Sequence, residues 1–341
     1  MSYPDISLVI SAWNASATLR KTLDSILENL VDQRYEIVLV NDGSTDKTGR
    51  IARSYARKHA HIRVLEQHNQ GLGASRNNAL QVAQGRYVWC FDADDLLPKG
   101  AFASFDSSLL KQGLDIILFY YDRVDRQAGT IVPVLDGDRG LFESIGPDTF
   151  TASQHPEILA CSQASWIRMV RRDFIVEKGL AFSNIRMNED YIYHLAGLIQ
   201  ARSVRIIPNV LYRYCQNHSA LSTLKGPERL LLVQVLAECE ASLPAFGASQ
   251  PMVDAFYVAK AHSLLWACCN TSEPHATRLR DYNDAFLRNM PEDAFVRFAR
   301  HRWLHPDVAR YALQLRGVNP KLFSKLAGLY DKLARLFRNR S

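Results

Sequence analysis

Residues 35–46 read YEIVLVNDGSTD, and this stretch decides the fold class of the chain. It begins as an apolar run rich in β-branched side chains, which is typical of a buried β-strand. The run stops at Asn41, Asp42, Gly43 and Ser44, which are residue types common in turns. The stretch therefore predicts a core strand that ends in a polar loop.

The sequence on either side repeats this strand pattern and alternates it with helical periodicity. Apolar runs of strand length recur at residues 6–10, 62–66 and 86–91. Helical patterns occupy residues 17–30, 45–59 and 71–83. Strands that alternate with helices of this length predict an α/β fold with a doubly wound, mainly parallel sheet, in which ligands bind beyond the carboxyl ends of the strands.

The second half of the chain is less regular. We expect a strand at residues 115–121, a loop rich in Gly and Asp at residues 135–145, and a helix that opens with acids at residues 188–201. Residues 228–270 and 281–315 then have helical periodicity, with breaks near residues 244–251 and 272–275. The pattern predicts a C-terminal helical extension after the sheet.

Composition limits the class of protein further. The 341 residues are 47% hydrophobic and 22% charged, which is ordinary for a globular protein. No stretch approaches the ~18–20 apolar residues of a membrane span, and residues 1–5 lack the pattern of a signal peptide. The six cysteines form no C-x-x-C pair. We therefore expect a cytoplasmic protein with reduced cysteines.

The net charge of +6 is concentrated at the C-terminus, where residues 301–341 contain nine Lys or Arg and two acids. Within residues 319–341, leucines and aromatic residues recur at helical spacing beside a basic flank. This pattern is typical of an amphipathic helix that either packs on the protein body or lies on an anionic membrane surface. The second alternative predicts peripheral attachment at the inner face of the cell membrane. No motif indicates a nucleic-acid partner.

Two polar segments follow predicted strands where the sheet would bind a ligand. The Asp42 carboxylate can accept hydrogen bonds from a base N–H or from ribose hydroxyls; alternatively, the segment is a turn in which Ser44 or Thr45 caps the next helix. In residues 69–77, NQGLGASRN, two glycines precede a helix, and Arg76 can face a phosphate. The spacing matches neither G-x-G-x-x-G nor a Walker loop, so it does not specify the ligand by itself.

A cluster of acids, DADD at residues 92–95, ends the fourth predicted strand. In an extended segment, Asp92 and Asp94 point the same way. Their carboxylates repel each other unless a cation lies between them, and hard oxygen ligands suit Mg²⁺ or Mn²⁺ bound to a nucleotide diphosphate. The alternative is that Asp95 caps the next helix and the other acids are solvated.

The order of these segments resembles the family-2 glycosyltransferases, which have a GT-A-type fold. The matching segments are residues 7–14 (SLVISAWN), 36–46 (EIVLVNDGSTD), 69–77 (NQGLGASRN), 83–87 (AQGRY) and 91–95 (FDADD). The resemblance is dense over residues 5–100 and sparser to residue 222. The family usually has Pro and Tyr where Ser11 and Trp13 stand in this chain, and Trp13 can still stack on a base.

The resemblance implies an inverting, metal-dependent transfer of a sugar from a nucleotide-sugar, with UDP-hexoses and UDP-N-acetylhexosamines as the leading donors. Asp42 would hold the uracil or ribose, and Arg76 would lie near the diphosphate. Asp94 would ligate Mn²⁺ or Mg²⁺, and Asp92 would contact the ribose or the metal, directly or through water. The implied donor-binding residues are Trp13, Asn14, Asp42, Gly71, Arg76, Asp92 and Ala93.

The acids in Asn188-Glu189-Asp190 match the "ED" pair of the family and imply the catalytic base. Asp190 would accept the proton of an acceptor hydroxyl as that hydroxyl attacks the anomeric carbon, with Glu189 as the alternative base. A single displacement of this kind inverts the anomeric configuration. The other interpretation is that two acids simply favour a helix N-terminus.

From these patterns we expect four regions. They are the nucleotide-sugar-binding half (1–100) and the acceptor-binding half (101–222) of a GT-A domain, a helical region (223–318) and a basic amphipathic helix (319–341). The basic tail indicates a glycan or lipid-linked acceptor in surface polysaccharide or lipopolysaccharide biosynthesis. The oligomeric state is left open.

Two other classes compete with this interpretation. A sugar-1-phosphate nucleotidyltransferase would need a Gly-rich, Arg-containing loop after the first strand, which residues 11–14 do not offer. A catalytically inactive homologue could serve as a binding subunit. The presence of the acids that the resemblance implies argues against an inactive homologue. These acids are Asp42, Asp92, Asp94 and Asp190.

Overall fold

The computed structural model describes residues 3–30, 34–125, 130–133, 136–216, 225–300 and 306–319. The strands in these ranges are β1 (Ile6–Ala12), β2 (Tyr35–Asp42), β3 (Ile62–Gln67), β4 (Tyr87–Asp92), β5 (Ile116–Asp125), β6 (Thr130–Pro133), β7 (Arg168–Arg171) and β8 (Val204–Gln216). The α-helices are α1 (Leu19–Asn29), α2 (Thr48–Lys58), α3 (Leu72–Val82), α4 (Asp136–Ile145), α5 (Arg172–Lys178), α6 (Asp190–Gln200), α7 (Leu231–Ser242), α8 (Gln250–Cys269), α9 (His275–Asn289), α10 (Glu292–Ala299) and α11 (Pro306–Leu315). The alternation predicted for the first hundred residues is confirmed.

The strands form one sheet in the order β3-β2-β1-β4-β7-β5-β6, and β8 pairs with β5. The first four strands are parallel to one another. Consecutive residues such as Leu8 and Val9, or Ile37 and Val38, are all buried, so both faces of this half of the sheet are covered. The predicted α/β fold with a mainly parallel, doubly wound sheet is confirmed.

The ends of three parallel strands lie together and position the site. β1 ends at Ala12, β2 at Asp42 and β4 at Asp92. The register aligns Ala12 with Asn41 across the first pair and Ser11 with Asp92 across the second. The loops that leave these strands therefore start side by side.

The second half of the sheet is mixed. β7 runs antiparallel between β4 and β5, and β5 pairs in parallel with β8. One hydrophobic core runs through both halves; it includes Leu8 of β1, Leu118 of β5 and Leu195 of α6. The residues that follow β4 are thus packed against residues 1–100 rather than separate from them.

The prediction of a loop at residues 135–145 is wrong, because residues 136–145 form α4. Its Gly and Asp content favours a loop, but Leu141 and Phe142 are buried in the core and outweigh that preference. Asp138 is also buried, and it accepts hydrogen bonds from Tyr121 Oη and Ser162 N, each at 2.9 Å. Tertiary packing therefore overrides the local propensity here.

The C-terminal region is helical, as predicted. α8 through α11 enclose a second, smaller core that contains Val258, Leu287, Phe295 and Phe298. None of the helices in the described residues is both long and apolar enough to span a membrane. The amphipathic helix predicted at residues 319–341 lies, apart from Asn319, outside the described residues.

Candidate active site

Asn14 joins the loops that follow β1 and β2. Its backbone is left-handed, with φ at 49°. Its Oδ1 accepts a hydrogen bond from Thr45 N at 2.9 Å, and its own N–H donates to Ser44 Oγ at 3.0 Å. Ser44 and Thr45 therefore hold the β1 loop and do not cap α2, which begins at Thr48 without a side-chain cap. The neighbouring Trp13 remains 57% exposed.

Asp46, which the sequence motifs did not identify as a site residue, joins the same two loops. Its carboxylate accepts hydrogen bonds from Ser16 N at 3.0 Å, Thr48 N at 2.9 Å and Thr48 Oγ1 at 2.6 Å. Burial opposes ionisation, but the hydrogen bonds from Ser16 and Thr48 lower the pKa of Asp46 to about 2. The Asp-x-Thr spacing is a local signal that could have identified this turn.

Asp42, at the end of β2, is 3% exposed and anchors the loop before α3. Its Oδ1 accepts hydrogen bonds from Gln67 Nε2 and Gln70 N, each at 2.8 Å. Its Oδ2 accepts one from Gly71 N at 2.9 Å. A carboxylate can accept about four hydrogen bonds, two on each oxygen. These three partners therefore leave one acceptor position on Oδ2. A contact between Asp42 and a base or ribose stays a prediction.

Two glycines allow close backbone approach around this loop. Gly43 has φ at 67°, and a Cβ there would lie 2.6 Å from Asn69 N. In the first turn of α3, a Cβ on Gly73 would lie 2.2 Å from the carbonyl oxygen of Ser183. Any side chain at either position would push these segments apart. The glycines thus bring the β2 and β3 loops together and set α3 against the segment before α6.

Arg76 links the end of β4 to the start of α6. It is 2% exposed, and its guanidinium donates to Asp92 Oδ1 and Glu189 Oε1, both at 2.7 Å. Burial by itself would lower its pKa, but the two carboxylates raise the pKa of Arg76 above its usual value. The same guanidinium lies 5.2 Å from the centre of the Phe182 ring. The guanidinium donates to these carboxylates, and its contact with a diphosphate stays a prediction.

Glu189 and Asp190 form an acidic pair at the start of α6. Burial and the charge of Asp190 raise the pKa of Glu189 to about 7, although Arg76 opposes the shift. Burial also raises the pKa of Asp190, and Arg76 and Arg168 counteract it. Across the described part of the chain, Glu189 is paired with Arg76 while Asp190 has no ion pair. A role for Asp190 as the base stays a prediction.

The end of β4 presents Asp92 and Asp94 as partly exposed side chains, with Ala93 buried between them. The Ala93 carbonyl accepts hydrogen bonds from Thr18 Oγ1 at 2.9 Å and Thr22 Oγ1 at 3.0 Å, which hold this loop on α1. The described residues contain no cluster of three or more His, Cys, Asp or Glu that could hold a metal by itself. Mg²⁺ is commonly held by one or two carboxylates together with phosphates and waters, so this pair fits a cation that arrives with a diphosphate.

Asp95 is not a helix cap. It is fully buried, and it accepts hydrogen bonds from Tyr212 Oη at 2.5 Å and Cys215 N at 2.7 Å, so it ties the β4 loop to β8. Burial, followed by the charges of Asp92 and Asp94, raises the pKa of Asp95 well above its usual value. Burial and the neighbouring carboxylates thus favour the neutral form of Asp95.

A family model described as glycosyl transferase family 2 matches residues 7–175. The matched range contains β1 to β4, Arg76 and the Asp92–Asp94 loop, and it ends before the acidic pair that opens α6.

Curated relatives are glycosyltransferases by name. The uncharacterized glycosyltransferase EpsJ of Bacillus subtilis is 30% identical over 224 residues, which are 65% of this chain and 64% of that protein. The poly(ribitol-phosphate) beta-glucosyltransferase of Bacillus spizizenii is 24% identical over 213 residues, 61% of this chain and 32% of that protein. The match spans less than two thirds of the length of either relative.

A solved structure has the same fold. The structure of Staphylococcus aureus TarS residues 1–349 in complex with UDP-GlcNAc superposes with a TM-score of 0.63 at 17% identity. The superposition covers 92% of this chain and 88% of that one. At this level of identity the likeness concerns the fold alone.

Proposed function

Because residues 7–175 of this chain belong to glycosyl transferase family 2, we propose that the chain transfers a sugar from a nucleotide-sugar to a hydroxyl group, with inversion at the anomeric carbon. One observation carries this proposal. Arg76 forms two ion pairs, one with Asp92 at the end of β4 and one with Glu189, which precedes Asp190 of α6. A donor-binding segment and a segment that bears a base are thereby joined at one site.

The donor nucleotide would bind at the ends of β1, β2 and β4. Trp13 is exposed there and would stack on the base. The acceptor position that remains on Asp42 Oδ2 would take a hydrogen bond from the base or ribose, while Asn14 and Gly71 shape the two adjoining loops. The TarS complex with UDP-GlcNAc supports a UDP-linked donor, a UDP-hexose or a UDP-N-acetylhexosamine.

Asp92 and Asp94 would hold the Mn²⁺ or Mg²⁺ that accompanies the donor. A bound cation of this kind supplies charge neutralisation for the departing nucleoside diphosphate. Asp94 would be the direct ligand, and Asp92, one oxygen of which accepts a hydrogen bond from Arg76, would contact the cation directly or through water. Arg76 would then serve to hold Asp92 and Glu189 in place across the site.

Asp190 would act as the general base. The acceptor oxygen forms a bond to the anomeric carbon while the bond from that carbon to the diphosphate oxygen breaks, and the hydroxyl proton passes to Asp190. Attack from the face opposite the diphosphate inverts the configuration. Asp190 is preferred to Glu189 because Glu189 Oε1 is already bound by Arg76. Burial raises the pKa of Asp190, which strengthens it as a base.

The acceptor would be a glycan or a lipid-linked hydroxyl in surface polysaccharide or lipopolysaccharide biosynthesis. The relative named for a poly(ribitol-phosphate) substrate supports a surface polymer as the class of acceptor. The basic stretch at residues 319–341 would hold the chain on the anionic surface where a lipid-linked acceptor lies.

A donor screen tests the transfer. The purified chain is incubated with UDP-, GDP- and dTDP-sugars and a panel of glycan acceptors, with and without Mn²⁺, and released nucleotide and glycosylated product are measured. We expect UDP release with at least one donor and a product of inverted configuration by NMR. Pyrophosphate release from UTP and a sugar-1-phosphate would contradict the proposal in favour of a nucleotidyltransferase. Donor binding without turnover would indicate an inactive binding subunit.

The membrane attachment has its own test. Deletion of residues 319–341 should abolish salt-sensitive binding to vesicles of phosphatidylcholine and phosphatidylglycerol, since each basic residue near such a surface contributes about 1 kcal/mol. UDP-sugar hydrolysis should be unchanged in the same variant. Full vesicle binding by the truncated chain, or loss of folding, would show that the tail does not serve as a membrane anchor.

A further inference from the structure

The segment between β7 and the acidic pair is anchored at both ends. Ser183 N donates to the Glu189 carbonyl at 2.9 Å, which closes residues 183–189 into a loop. Ser183 Oγ donates to Glu238 Oε2 on α7 at 2.8 Å. Just before the loop, Asn77 of α3 bonds both the N–H and the carbonyl of Phe182, at 2.8 and 3.0 Å. The loop is therefore held in one position relative to α3 and α7.

Arg186 lies in the middle of this loop, close to the residue that precedes α3. Its Cγ is 3.7 Å from the position that a Cβ on Gly71 would take. The side chain is exposed, and no hydrogen bond or ion pair joins it to any residue that the structure describes. Gly71 N in turn donates to Asp42 at 2.9 Å. The Arg186 cation, which has no partner within the described ranges, therefore lies on an anchored loop near the end of β2.

Arg186 differs in this respect from Arg76. Arg76 is buried and bound to two carboxylates, so its guanidinium donors are directed at protein groups. None of the described residues engages the donors or the planar face of Arg186, so they can meet a ligand. Its position next to Gly71 places it on the side of the site formed by Asp42, whereas the acids expected to meet a diphosphate, Asp92 and Asp94, end a different strand.

We propose that Arg186 contacts the nucleobase of the donor and helps to select it. This inference rests on the proposed function, because it takes the ligand at the Asp42 end of the site to be the nucleoside of a nucleotide-sugar. A guanidinium stacks on an aromatic ring through its planar face and can donate to the carbonyl oxygens of uracil from its edge. The exposed Trp13 offers a second planar surface at the same end of the sheet.

The experiment compares nucleotide binding by the full-length wild type and three variants, Arg186→Ala, Arg186→Lys and Arg57→Ala. Arg57 is an exposed arginine on α2 that has no partner among the described residues, so its replacement is a matched control. UDP, and uridine without phosphates, are titrated against each protein by NMR. We expect Arg186→Ala to weaken binding of UDP and of uridine by the same factor, about 3- to 10-fold.

Arg186→Lys should recover little of this loss, because an ammonium ion has no planar face to stack. Arg57→Ala should bind both ligands as the wild type does. Unchanged binding by Arg186→Ala, or a loss for UDP but not for uridine, would overturn the inference; the second result would mean that Arg186 contacts phosphate. Failure of the wild type to bind UDP would instead contradict the proposed UDP-linked donor, so the two failures are distinguishable.

Discussion

Arg76 donates a hydrogen bond to Glu189 Oε1 at 2.7 Å, although 113 positions separate the two residues in the chain. The bond joins α3, which follows the third strand, to the first residues of α6, which follow the seventh. It sets the acidic pair beside the end of β4. The buried guanidinium of Arg76 therefore links the end of β4 to the start of α6.

Replacement of that cation should be costly. Arg76→Met would leave the carboxylates of Asp92 and Glu189 near each other without a counter-charge, and we expect the free energy of unfolding to fall by about 3–5 kcal/mol. Urea denaturation measures the change. Arg34→Met, which removes an exposed ion pair with Asp5, is the control and should unfold nearly as the wild type does. Equal stability of the two variants would contradict the assigned role.

Replacement of the base should separate chemistry from binding. Asp190→Asn keeps the size of the side chain but cannot accept the proton, so kcat should fall by about 100-fold or more while UDP affinity stays near that of the wild type. Glu189→Gln is the comparison and should retain more turnover. If Glu189→Gln alone abolishes turnover, the base is Glu189.

The metal proposal makes a prediction about binding as well as rate. Mn²⁺ should tighten UDP binding to the wild type, measured by calorimetry, because Asp92 and Asp94 would hold the cation and its charge would attract the diphosphate. Asp94→Ala should lose this enhancement and most of the activity. Asp173→Ala, which removes an exposed carboxylate on α5, serves as the control. Full activity of the wild type in excess EDTA would rule out the metal.

Two helical glycines offer a matched test of close packing. A Cβ on Gly73 would lie 2.2 Å from the Ser183 carbonyl oxygen, so Gly73→Ala must displace residues 183–189 and should cost about 1–3 kcal/mol. A Cβ on Gly197, inside α6, would meet Ile116 Cδ1 at an ordinary 3.5 Å. Gly197→Ala should therefore leave stability unchanged or raise it by up to about 1 kcal/mol. Thermal and urea unfolding compare the two, and a smaller loss for Gly73→Ala than for Gly197→Ala would refute the packing argument.

The raised pKa of Glu189 predicts a pH dependence of stability. Its pKa is about 7 in the folded chain against an ordinary 4.5, so between these values the folded state binds more protons than the unfolded state. The free energy of unfolding should then decrease as the pH rises through this interval, by at most about 1.4 kcal/mol per pH unit for one proton. Glu189→Gln should remove this contribution. A difference between wild type and variant that does not change with pH would contradict the shift.

Much of the secondary structure of residues 1–100 can be predicted from local sequence. The apolar runs of β1, β2 and β4 identify buried strands, and the polar residues that end two of them, Asp42 and Asp92, are placed at one end of the sheet because parallel strands share their direction. The acidic start of α6 at Asp190 is also visible in the pattern. These features depend on neighbours within a few positions, so periodicity is enough to locate them.

Only the tertiary structure shows which groups the key polar side chains contact. These side chains are Asp42, Arg76, Asp95 and Arg186. Asp42 holds residues 70 and 71, and Asp95 holds Tyr212, more than a hundred positions away. Local pattern carries no information about such partners, because they meet only when separate segments pack together. The same reason explains α4, where burial of apolar side chains overrides a composition typical of loops. Within residues 1–100, the sequence alone thus indicated the strands, the helices and the chemical type of the acids, because these depend on neighbouring positions. The order of the strands and the partners of those acids depend on packing between distant segments.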